Sequence, residues 1–364
     1  MQKNEEFIVD IIDNGMDGEG IAKIDGFTIF VPGAIAGEKV KIKVVKVLKS
    51  HGFGKLLEII EGSKHRREID CETFPRCGGC DLRHVDYDYT LEMKKNKVEN
   101  LFKKEKIDVV VKPCIGMDNP VFYRNKLQYP FGINKDGEPL IGVFAKRSHN
   151  VIETKKCMIQ DKLCQKIADS VLEFVKNNKI SVYSEETLNG LIRHCIVRIG
   201  KKSNEVMVTI VTTNGNFEKK HEFVDELVSK YPEIKTIVRN INDRNTNVIL
   251  GRKNEILYGS GYIKDNLLGY DFEISPMSFY QVNPIQTESL YSKAIEYAEL
   301  TGEESIFDLY CGIGTIGICA SKGAKMLYGI ETVPEAIEDA KKNAKINGVE
   351  NQEYFVRKCW RCFT

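Results

Sequence analysis

Short runs that alternate between apolar and polar residues fill the first 62 positions and predict strands joined by tight turns. The clearest runs occupy 7–13, 26–34, 38–50 and 54–62. A cluster of Gly, Asp and Asn at 14–20 has the composition of a turn between the first two runs. Several short strands at this spacing indicate a small β-barrel.

Lysine occupies every second position near the start of the third run. Because successive side chains of a strand point to opposite faces, the run has two different faces: Lys39, Lys41 and Lys43 on one, and Val40, Ile42 and Val44 on the other. The segment 38–67 holds nine Lys or Arg against three Glu, whereas 5–25 holds seven acids against one Lys. A basic strip on a small barrel suits the phosphate backbone of a nucleic acid. A solvated strand face is the alternative, and it stays open.

Helical and strand-like runs follow in two further blocks. A helix is predicted at 91–106, and mixed runs up to about 270 indicate an α+β region. In that region the predicted helices are 167–178 and 222–231, and the predicted strands are 194–200, 205–213 and 236–242. From 285 the pattern becomes a βα series typical of a parallel sheet. Its helices are 285–300, 315–323 and 334–348, and its strands are 305–310, 325–331 and 353–356.

Composition excludes a collagen-like, coiled-coil or wholly disordered chain. It does not indicate a binding partner. The 364 residues are 42% hydrophobic and 29% charged, which is ordinary for a folded protein of two or three domains. Lys plus Arg is 53 and Asp plus Glu is 52, so the net charge indicates no particular partner. The first residues lack the pattern of a secretion signal, and no apolar stretch is long enough to cross a bilayer. We therefore expect a cytoplasmic protein without a membrane partner.

Eleven cysteines suggest a metal or cluster site, because a disulfide framework is unusual without secretion. Cys71, Cys77 and Cys80 have the spacing C-x5-C-x2-C, and Cys157 is the fourth candidate ligand. Two glycines between the last pair let the backbone wrap closely around a bulky group. Three close cysteines and one distant one favour an iron–sulfur cluster, with zinc or unliganded thiols as alternatives. Three further cysteines in apolar settings are predicted core residues: Cys114, Cys164 and Cys195.

A glycine-rich turn between a predicted strand and helix is the second candidate site. Asp308 ends the strand, Gly312, Gly314 and Gly317 follow, and Glu331 ends the next strand. Glycines allow a ligand to approach the turn, and the second acid can accept hydrogen bonds from a ribose. A strand–turn–helix arrangement of this kind binds either dinucleotides or S-adenosylmethionine. Asp308 favours the methyl donor, since its charge would repel a pyrophosphate; a mere tight turn is the remaining alternative.

These motifs together resemble the uracil-C5 RNA methyltransferase family over essentially the whole chain. The resemblance rests on CETFPRCGGCDLRH (71–84), FYRNKLQYPFG (122–132), NGLIRHCIVRIG (189–200), NINDRNTNVILG (240–251), ISPMSFYQVNP (274–284) and DLYCGIGTIG (308–317). It implies a multidomain fold: an OB-like TRAM β-barrel that binds RNA at 1–62, an α+β central domain with the cluster segment at 63–270, and an incomplete Rossmann-like methyltransferase domain at 271–364.

The resemblance also implies residue roles. Cys71, Cys77, Cys80 and Cys157 match the family's [4Fe-4S] ligands. The residues that match donor-binding positions are Gln281, Tyr310, Gly312 and Glu331. For Gln281, capping of the following helix is the alternative interpretation. The implied reaction is methyl transfer from S-adenosylmethionine to uracil C5 in RNA, and 23S ribosomal RNA is favoured over transfer RNA. A non-catalytic RNA-binding iron–sulfur protein is the second hypothesis, and an NAD-dependent oxidoreductase is the third.

The end of the chain departs from the family pattern. The family's nucleophilic Cys and its base lie beyond residue 364, and we assign neither role to Cys359 or Cys362, so no catalytic residue is predicted. We expect the 364 residues alone to lack methylation activity. A truncated or frame-shifted reading of a longer gene, a deliberately shortened chain and a natural short form are the three explanations.

Overall fold

The computed structural model describes residues 1–358, so Cys359 and Cys362 lie outside the described residues. The chain divides into two compact units, Met1–Asp118 and Asn119–Thr364. Within residues 1–358, no helix is both long and apolar enough to cross a membrane.

The first unit is built on a six-stranded sheet with the order β1-β5-β6-β4-β3-β2. Its strands are β1 (Glu6–Asp10), β2 (Asp13–Asn14), β3 (Gly20–Ile24), β4 (Phe27–Val31), β5 (Lys39–Val47) and β6 (His51–Glu61), and a helix α1 (Tyr87–Lys104) follows. All neighbours pair antiparallel except β4 and β6, which are parallel. Val40, Ile42 and Val44 are fully buried, as the alternation predicts.

Ion pairs occupy a large part of the predicted basic strip. Lys39 lies 3.8 Å from Glu61, and Lys41 lies 2.9 Å from Glu6. Arg66 donates from Nε and Nη2 to the buried carboxylate of Glu38, at 2.6 and 2.8 Å. This bidentate interaction holds the segment that follows β6 against the start of β5. Three of the bases that the sequence offered to a nucleic acid therefore have carboxylate partners within the same unit.

The second unit begins with a seven-stranded mixed sheet of order β13-β12-β11-β10-β7-β8-β9. Its strands are β7 (Lys126–Ile133), β8 (Pro139–Phe144), β9 (Val151–Glu153), β10 (Ile192–Ile199), β11 (Val206–Thr212), β12 (Ile234–Ile241) and β13 (Lys253–Gly259), and its helices are α2 (Lys162–Asn177) and α3 (Lys220–Lys230). The helices pack on this sheet through Phe174 and Phe223, whose rings meet edge to face at 5.1 Å. Cys164 and Cys195 are buried in this core as predicted, whereas Cys114 of the first unit is partly exposed.

A buried histidine makes this sheet sensitive to acid. His194 on β10 has no hydrogen-bond partner on either ring nitrogen within residues 1–358. Burial, with a smaller contribution from the Arg193 charge, lowers the pKa of His194 from 6.5 to about 4. Because the unfolded chain binds more protons between these values, the free energy of unfolding holds above pH 6.5 and falls by up to about 3 kcal/mol towards pH 4.

We expect His194→Leu to reduce this loss of stability in acid. The substitution introduces an apolar side chain of similar size and removes no hydrogen bond, since neither ring nitrogen of His194 has one within residues 1–358. Urea unfolding at about pH 5 and about pH 7 measures the effect. His221→Leu, at an exposed histidine of the same unit, is the matched control and should leave the acid dependence unchanged. An unaltered dependence in His194→Leu would contradict the assignment.

The rest of the second unit is a hairpin followed by a parallel βα series. Its elements are β14 (Ile263–Leu267), β15 (Tyr270–Ile274), α4 (Pro284–Ala298), β16 (Ser305–Asp308), α5 (Thr315–Ala320), β17 (Met326–Glu331), α6 (Pro334–Ile346) and β18 (Gln352–Val356). The three parallel strands have the order β16-β17-β18. Each predicted strand and helix from 285 onwards is present, although α5 ends at Ala320 and a single 3-10 turn completes the predicted length.

Candidate functional site

The glycine turn joins β16 to α5 with two residues in the left-handed region. Gly312 has φ +54° and Gly314 has φ +82°, so side chains at these positions would strain the backbone. A Cβ at Gly317 would lie 2.9 Å from the Leu327 methyls, which shows that α5 packs directly on β17. A Cβ at Gly312 would meet no atom within 4 Å. The turn therefore faces open space at Gly312, where a ligand has room.

Asp308, at the end of β16, is a partly exposed residue with one buried carboxylate oxygen. Its Oδ2 is buried and has no hydrogen-bond partner within the part of the chain that the structure describes. Burial raises the pKa of Asp308, and backbone hydrogen bonds from Tyr310 and Gly317 offset that rise only in part. A buried carboxylate oxygen without a donor is costly in a folded protein. The ammonium group of an amino acid would supply both the charge and the hydrogen bond that this oxygen lacks.

Glu331 ends the neighbouring strand β17 and is held by the start of α6. Its Oε1 accepts hydrogen bonds from the Thr332 amide, the Thr332 hydroxyl at 3.0 Å and the Val333 amide at 3.1 Å. Burial acts to raise the pKa of Glu331, but these hydrogen bonds lower it overall. The carboxylate is thus ionised at neutral pH and fixed in orientation, as an acceptor for sugar hydroxyls must be.

Tyr291 links Gln281 to the glycine turn. The Tyr291 hydroxyl lies 2.9 Å from Oγ1 of Thr315, the first residue of α5. Burial raises the pKa of Tyr291, and hydrogen bonds with Thr315 and Gln281 lower it in part. Asn283, rather than Gln281, caps α4, since its side chain accepts from the Gln286 amide at 3.2 Å. The helix-cap interpretation of Gln281 is therefore wrong.

Two other features of the turn bear on its chemistry. The Tyr310 side chain is 78% exposed, so it can pack against a ligand. Cys311, in the turn itself, is buried, and burial raises its pKa to about 12. A thiol with that pKa is protonated at neutral pH, which agrees with a packing role and not with a nucleophile.

Comparison with known proteins matches both ends of the chain to described families. The TRAM domain matches residues 2–57, and a family described as ribosomal protein L11 methyltransferase (PrmA) matches residues 286–360. A protein named an uncharacterized RNA methyltransferase from Oceanobacillus iheyensis is 44% identical over 98% of this chain and 78% of its own length. A protein of the same description from Clostridium acetobutylicum is 46% identical, with the same coverage. The chain belongs to this RNA methyltransferase family.

A solved structure extends the match. The Pyrococcus abyssi tRNA (uracil-54, C5)-methyltransferase in complex with S-adenosyl-L-homocysteine is similar with a TM-score of 0.76 and 26% identity. The match covers 96% of this chain and 79% of that protein. The TRAM match and this structural match together confirm the predicted multidomain architecture of this RNA methyltransferase. It has an N-terminal TRAM domain and a Rossmann-like methyltransferase fold.

A polar stripe on α6 supports the site of this RNA methyltransferase, and sequence reasoning missed it. Asn343 is fully buried; its Oδ1 accepts from the Glu273 amide at 2.8 Å, and its Nδ2 donates to the carbonyls of Glu273 and Ile313, both at 3.3 Å. One turn earlier, Asp339 accepts from the hydroxyls of Ser275 and Ser278. The stripe joins the end of β15 to the glycine turn. The i, i+4 spacing of the two side chains was the available signal.

Three basic residues gather beside the segment 278–282, and sequence reasoning did not group them. Lys126 and Arg198 are directly opposite each other on β7 and β10. Burial, followed by the charges of Arg198 and Arg124, lowers the pKa of Lys126 to about 8. Arg198 is buried; its Nη2 donates to the Ser278 carbonyl at 3.0 Å, whereas its Nη1 has no hydrogen-bond partner within residues 1–358. Cations crowded in this way favour an anion nearby.

The predicted cluster ligands are distributed over both compact units. Cys71, Cys77 and Cys80 belong to the first unit and Cys157 to the second. The Gly79 amide donates to the Cys77 sulfur at 3.2 Å. Within residues 1–358, no group of three or more His, Cys, Asp or Glu side chains is arranged to hold a metal ion. The four ligands therefore stay a prediction.

Proposed function

We propose that this RNA methyltransferase transfers the methyl group of S-adenosylmethionine to C5 of a uracil in RNA. The observation that carries the proposal is the buried, unpartnered Oδ2 of Asp308 on a glycine turn, in a chain of this family. An amino-acid ammonium satisfies that oxygen, whereas a pyrophosphate would be repelled by it. The 26% identical Pyrococcus abyssi neighbour, a uracil-C5 enzyme with bound S-adenosyl-L-homocysteine, supports the same assignment.

The donor pocket then has a role for each residue. Asp308 binds the ammonium group, Glu331 accepts from the ribose hydroxyls, and Tyr310 packs against the donor. Gln281 binds a polar part of the donor through its amide, and Gly312 leaves the space that the donor fills. S-adenosylmethionine supplies an electrophilic methyl group, which a thiolate-activated uracil can attack. We assign the thiolate and the base to no residue of this chain.

The basic residues beside 278–282 are proposed to hold an RNA phosphate. Lys126 and Arg124 are partly exposed and would contact the phosphate, while the buried Arg198 adds its charge. Phosphate contacts of this kind position a nucleic acid without reading its sequence. Ribosomal RNA is the substrate that we propose first, because of the family resemblance described in the sequence analysis. Transfer RNA is the second, because the Pyrococcus abyssi neighbour is a transfer RNA enzyme.

We further propose that Cys71, Cys77, Cys80 and Cys157 hold a [4Fe-4S] cluster. The fit rests on the thiols and their neighbours. Burial acts to lower the pKa of Arg83, but Asp70 and the Cys80 and Cys71 sulfurs raise it overall, so this cation lies close to both thiols. The Arg83 cation, and the Gly79 amide that donates to the Cys77 sulfur, favour the thiolate ligands that a cluster needs. The cluster would have a structural role, since methyl transfer is redox-neutral.

Anaerobically prepared protein is expected to contain about four iron and four sulfide per chain. Cys77→Ser should lose most of the iron, because serine is a poor ligand for these clusters. Cys114→Ser replaces a partly exposed cysteine of the same unit and should retain it. Metal and sulfide analysis with visible absorption gives the result. Protein that binds zinc without sulfide would contradict the cluster assignment.

Two measurements test the proposed function. Calorimetry with S-adenosylhomocysteine should show binding, while NADH should show none; the reverse would favour the oxidoreductase hypothesis. RNA carrying tritium at uracil C5 then reports the chemistry, since methylation at C5 releases that tritium to water. A chain that binds neither S-adenosylhomocysteine nor RNA would overturn the proposed function.

A further inference from the structure

A tyrosine of the third parallel strand reaches the inner side of the glycine turn. Tyr354 on β18 is directly opposite Gly329 on β17. A Cβ at Gly329 would lie 2.2 and 2.4 Å from two carbons of the Tyr354 ring, so only a glycine leaves room for the ring there. The hydroxyl oxygen of Tyr354 lies 2.9 Å from the position that a Cβ would take at Gly314. The side chain therefore extends from the sheet to the glycine turn.

The Tyr354 hydroxyl is a buried polar group without a partner. Its oxygen is buried and forms no hydrogen bond within residues 1–358. An unpaired buried hydroxyl is costly in a folded protein, and phenylalanine would fill the same space without that cost. The stability of the unliganded protein therefore does not explain this hydroxyl, and a role in the site does.

The Asp308 carboxylate lies on the same side of the turn as this hydroxyl. Asp308 Oδ2 lies 3.4 Å from the position of a Cβ at Gly317, which is three residues after Gly314. Positions three residues apart at the start of a helix are neighbours, about 5–6 Å apart. Burial raises the pKa of Tyr354, and the charges of Cys311 and Asp308 raise it further, which agrees with their proximity. The two unpartnered oxygens thus face the same part of the turn.

We propose that Tyr354 is a positioning residue of the donor site: its hydroxyl hydrogen points to the Asp308 carboxylate and keeps that group ionised and directed at the ligand ammonium. The proposal rests on the proposed function, because it takes S-adenosylmethionine as the ligand. A hydroxyl rotates its hydrogen towards an acceptor, and the O–H dipole stabilises negative charge there. Burial and, to a smaller extent, the charge of Glu331 act against the ionisation of Asp308. The Tyr354 hydroxyl opposes both effects.

The surroundings of Asp308 make its titration observable. Within the described residues, the ionisable groups that interact with it are Glu331 on β17, Cys311 in the turn, Tyr291 on α4 and Tyr354. Burial raises the pKa of the thiol and of both hydroxyls, so all three stay neutral in mild acid. Burial acts to raise the pKa of Glu331 too, but hydrogen bonds lower it overall, so its charge stays constant there. A loss of donor binding in mild acid therefore reports Asp308.

Calorimetric titration of the full chain with S-adenosylhomocysteine tests the proposal through a double-mutant cycle. Tyr354→Phe removes only the hydroxyl and should weaken binding about fivefold, which corresponds to one net hydrogen bond. The loss should disappear once the carboxylate is gone, so Asp308→Asn and the double variant should bind equally. Tyr328→Phe is the matched control. Strand alternation turns Tyr328 to the other face of the sheet, where its ring stacks on Phe307 at 5.0 Å, so its affinity should be unchanged.

The pH dependence of the affinity gives a second readout. In the unaltered chain the affinity should fall in acid as Asp308 takes up a proton. In Tyr354→Phe the same fall should occur about 0.7 pH unit higher, because the ionised carboxylate has lost a donor. A purely structural tyrosine would weaken binding equally at every pH.

The ligand-free Tyr354→Phe variant should unfold at the same urea concentration as the unaltered chain or at a higher one, since it loses an unpaired buried hydroxyl. A lower urea midpoint, additive losses in the double variant or an unshifted pH profile would each overturn the positioning role. Failure of the proposed function is separable. An unaltered chain that does not bind S-adenosylhomocysteine contradicts the donor site and this proposal with it, whereas normal binding by Tyr354→Phe contradicts only the role of Tyr354.

Discussion

Asp308→Asn is expected to weaken the binding of S-adenosylhomocysteine by about 100-fold, because it removes the charge opposite the ligand ammonium. Losing one member of a buried, hydrogen-bonded charge pair costs about 2–5 kcal/mol, and 100-fold corresponds to about 2.7 kcal/mol. Asparagine has nearly the shape of aspartate, so β16 and the glycine turn keep their geometry. Calorimetric titration of both proteins measures the difference.

The same substitution should raise the free energy of unfolding of the unliganded protein by about 1 kcal/mol. One oxygen of the Asp308 carboxylate is buried and unpartnered, and burial raises its pKa, so a neutral amide is less costly at this position. Higher stability together with weaker donor binding distinguishes a ligand-binding carboxylate from a structural one. Asp161→Asn is the control; Asp161 caps α2 through the Leu163 and Cys164 amides, so its loss should leave donor binding unchanged. Normal donor affinity in Asp308→Asn would refute the assigned role.

Asn343→Leu is expected to lower the free energy of unfolding by about 3–5 kcal/mol. The substitution leaves the Glu273 amide and the carbonyls of Glu273 and Ile313 without their partner in a buried site, at about 1–3 kcal/mol for each unpaired group. Such a loss is a large share of the stability of a typical protein. Because Ile313 lies between the two left-handed glycines, donor affinity should fall as well.

Urea unfolding measures the stability change, and two related variants sharpen the interpretation. Asn343→Asp keeps the acceptor for the Glu273 amide but sets a buried carboxylate against the carbonyls of Glu273 and Ile313, so it should cost at least as much as Asn343→Leu. Asn347→Leu lies one turn later on α6, where the bonds to Asp271 are exposed, and should cost about 1 kcal/mol. If Asn343→Leu were no more destabilising than Asn347→Leu, the polar stripe would not be a major support of the turn.

Local patterns predicted the helices and the parallel strands of the second half well. α6 begins at the predicted Pro334 and ends near the predicted glycine, because proline and glycine act on the backbone of their own turn. The strands β7, β8, β13, β14 and β15 were not predicted as such. β15 alternates strictly, with Tyr270, Phe272 and Ile274 buried, so its signal was available in the sequence. β7, by contrast, buries three successive residues, 129–131, and has no regular alternation.

The order of residues along the chain was by itself enough to determine the glycine turn, the two acids that end its strands, and the cysteine spacing, since each depends on neighbours within a few positions. Only the tertiary structure decided that Tyr291 joins Gln281 to Thr315, that Asn343 reaches β15, and which lysines have carboxylate partners. These features depend on strand register and helix packing between residues far apart in sequence. Charge counted along the chain placed the basic strip on Lys39, Lys41 and Lys43. Ion pairs with Glu61 and Glu6, which strand pairing brings close, neutralise the first two.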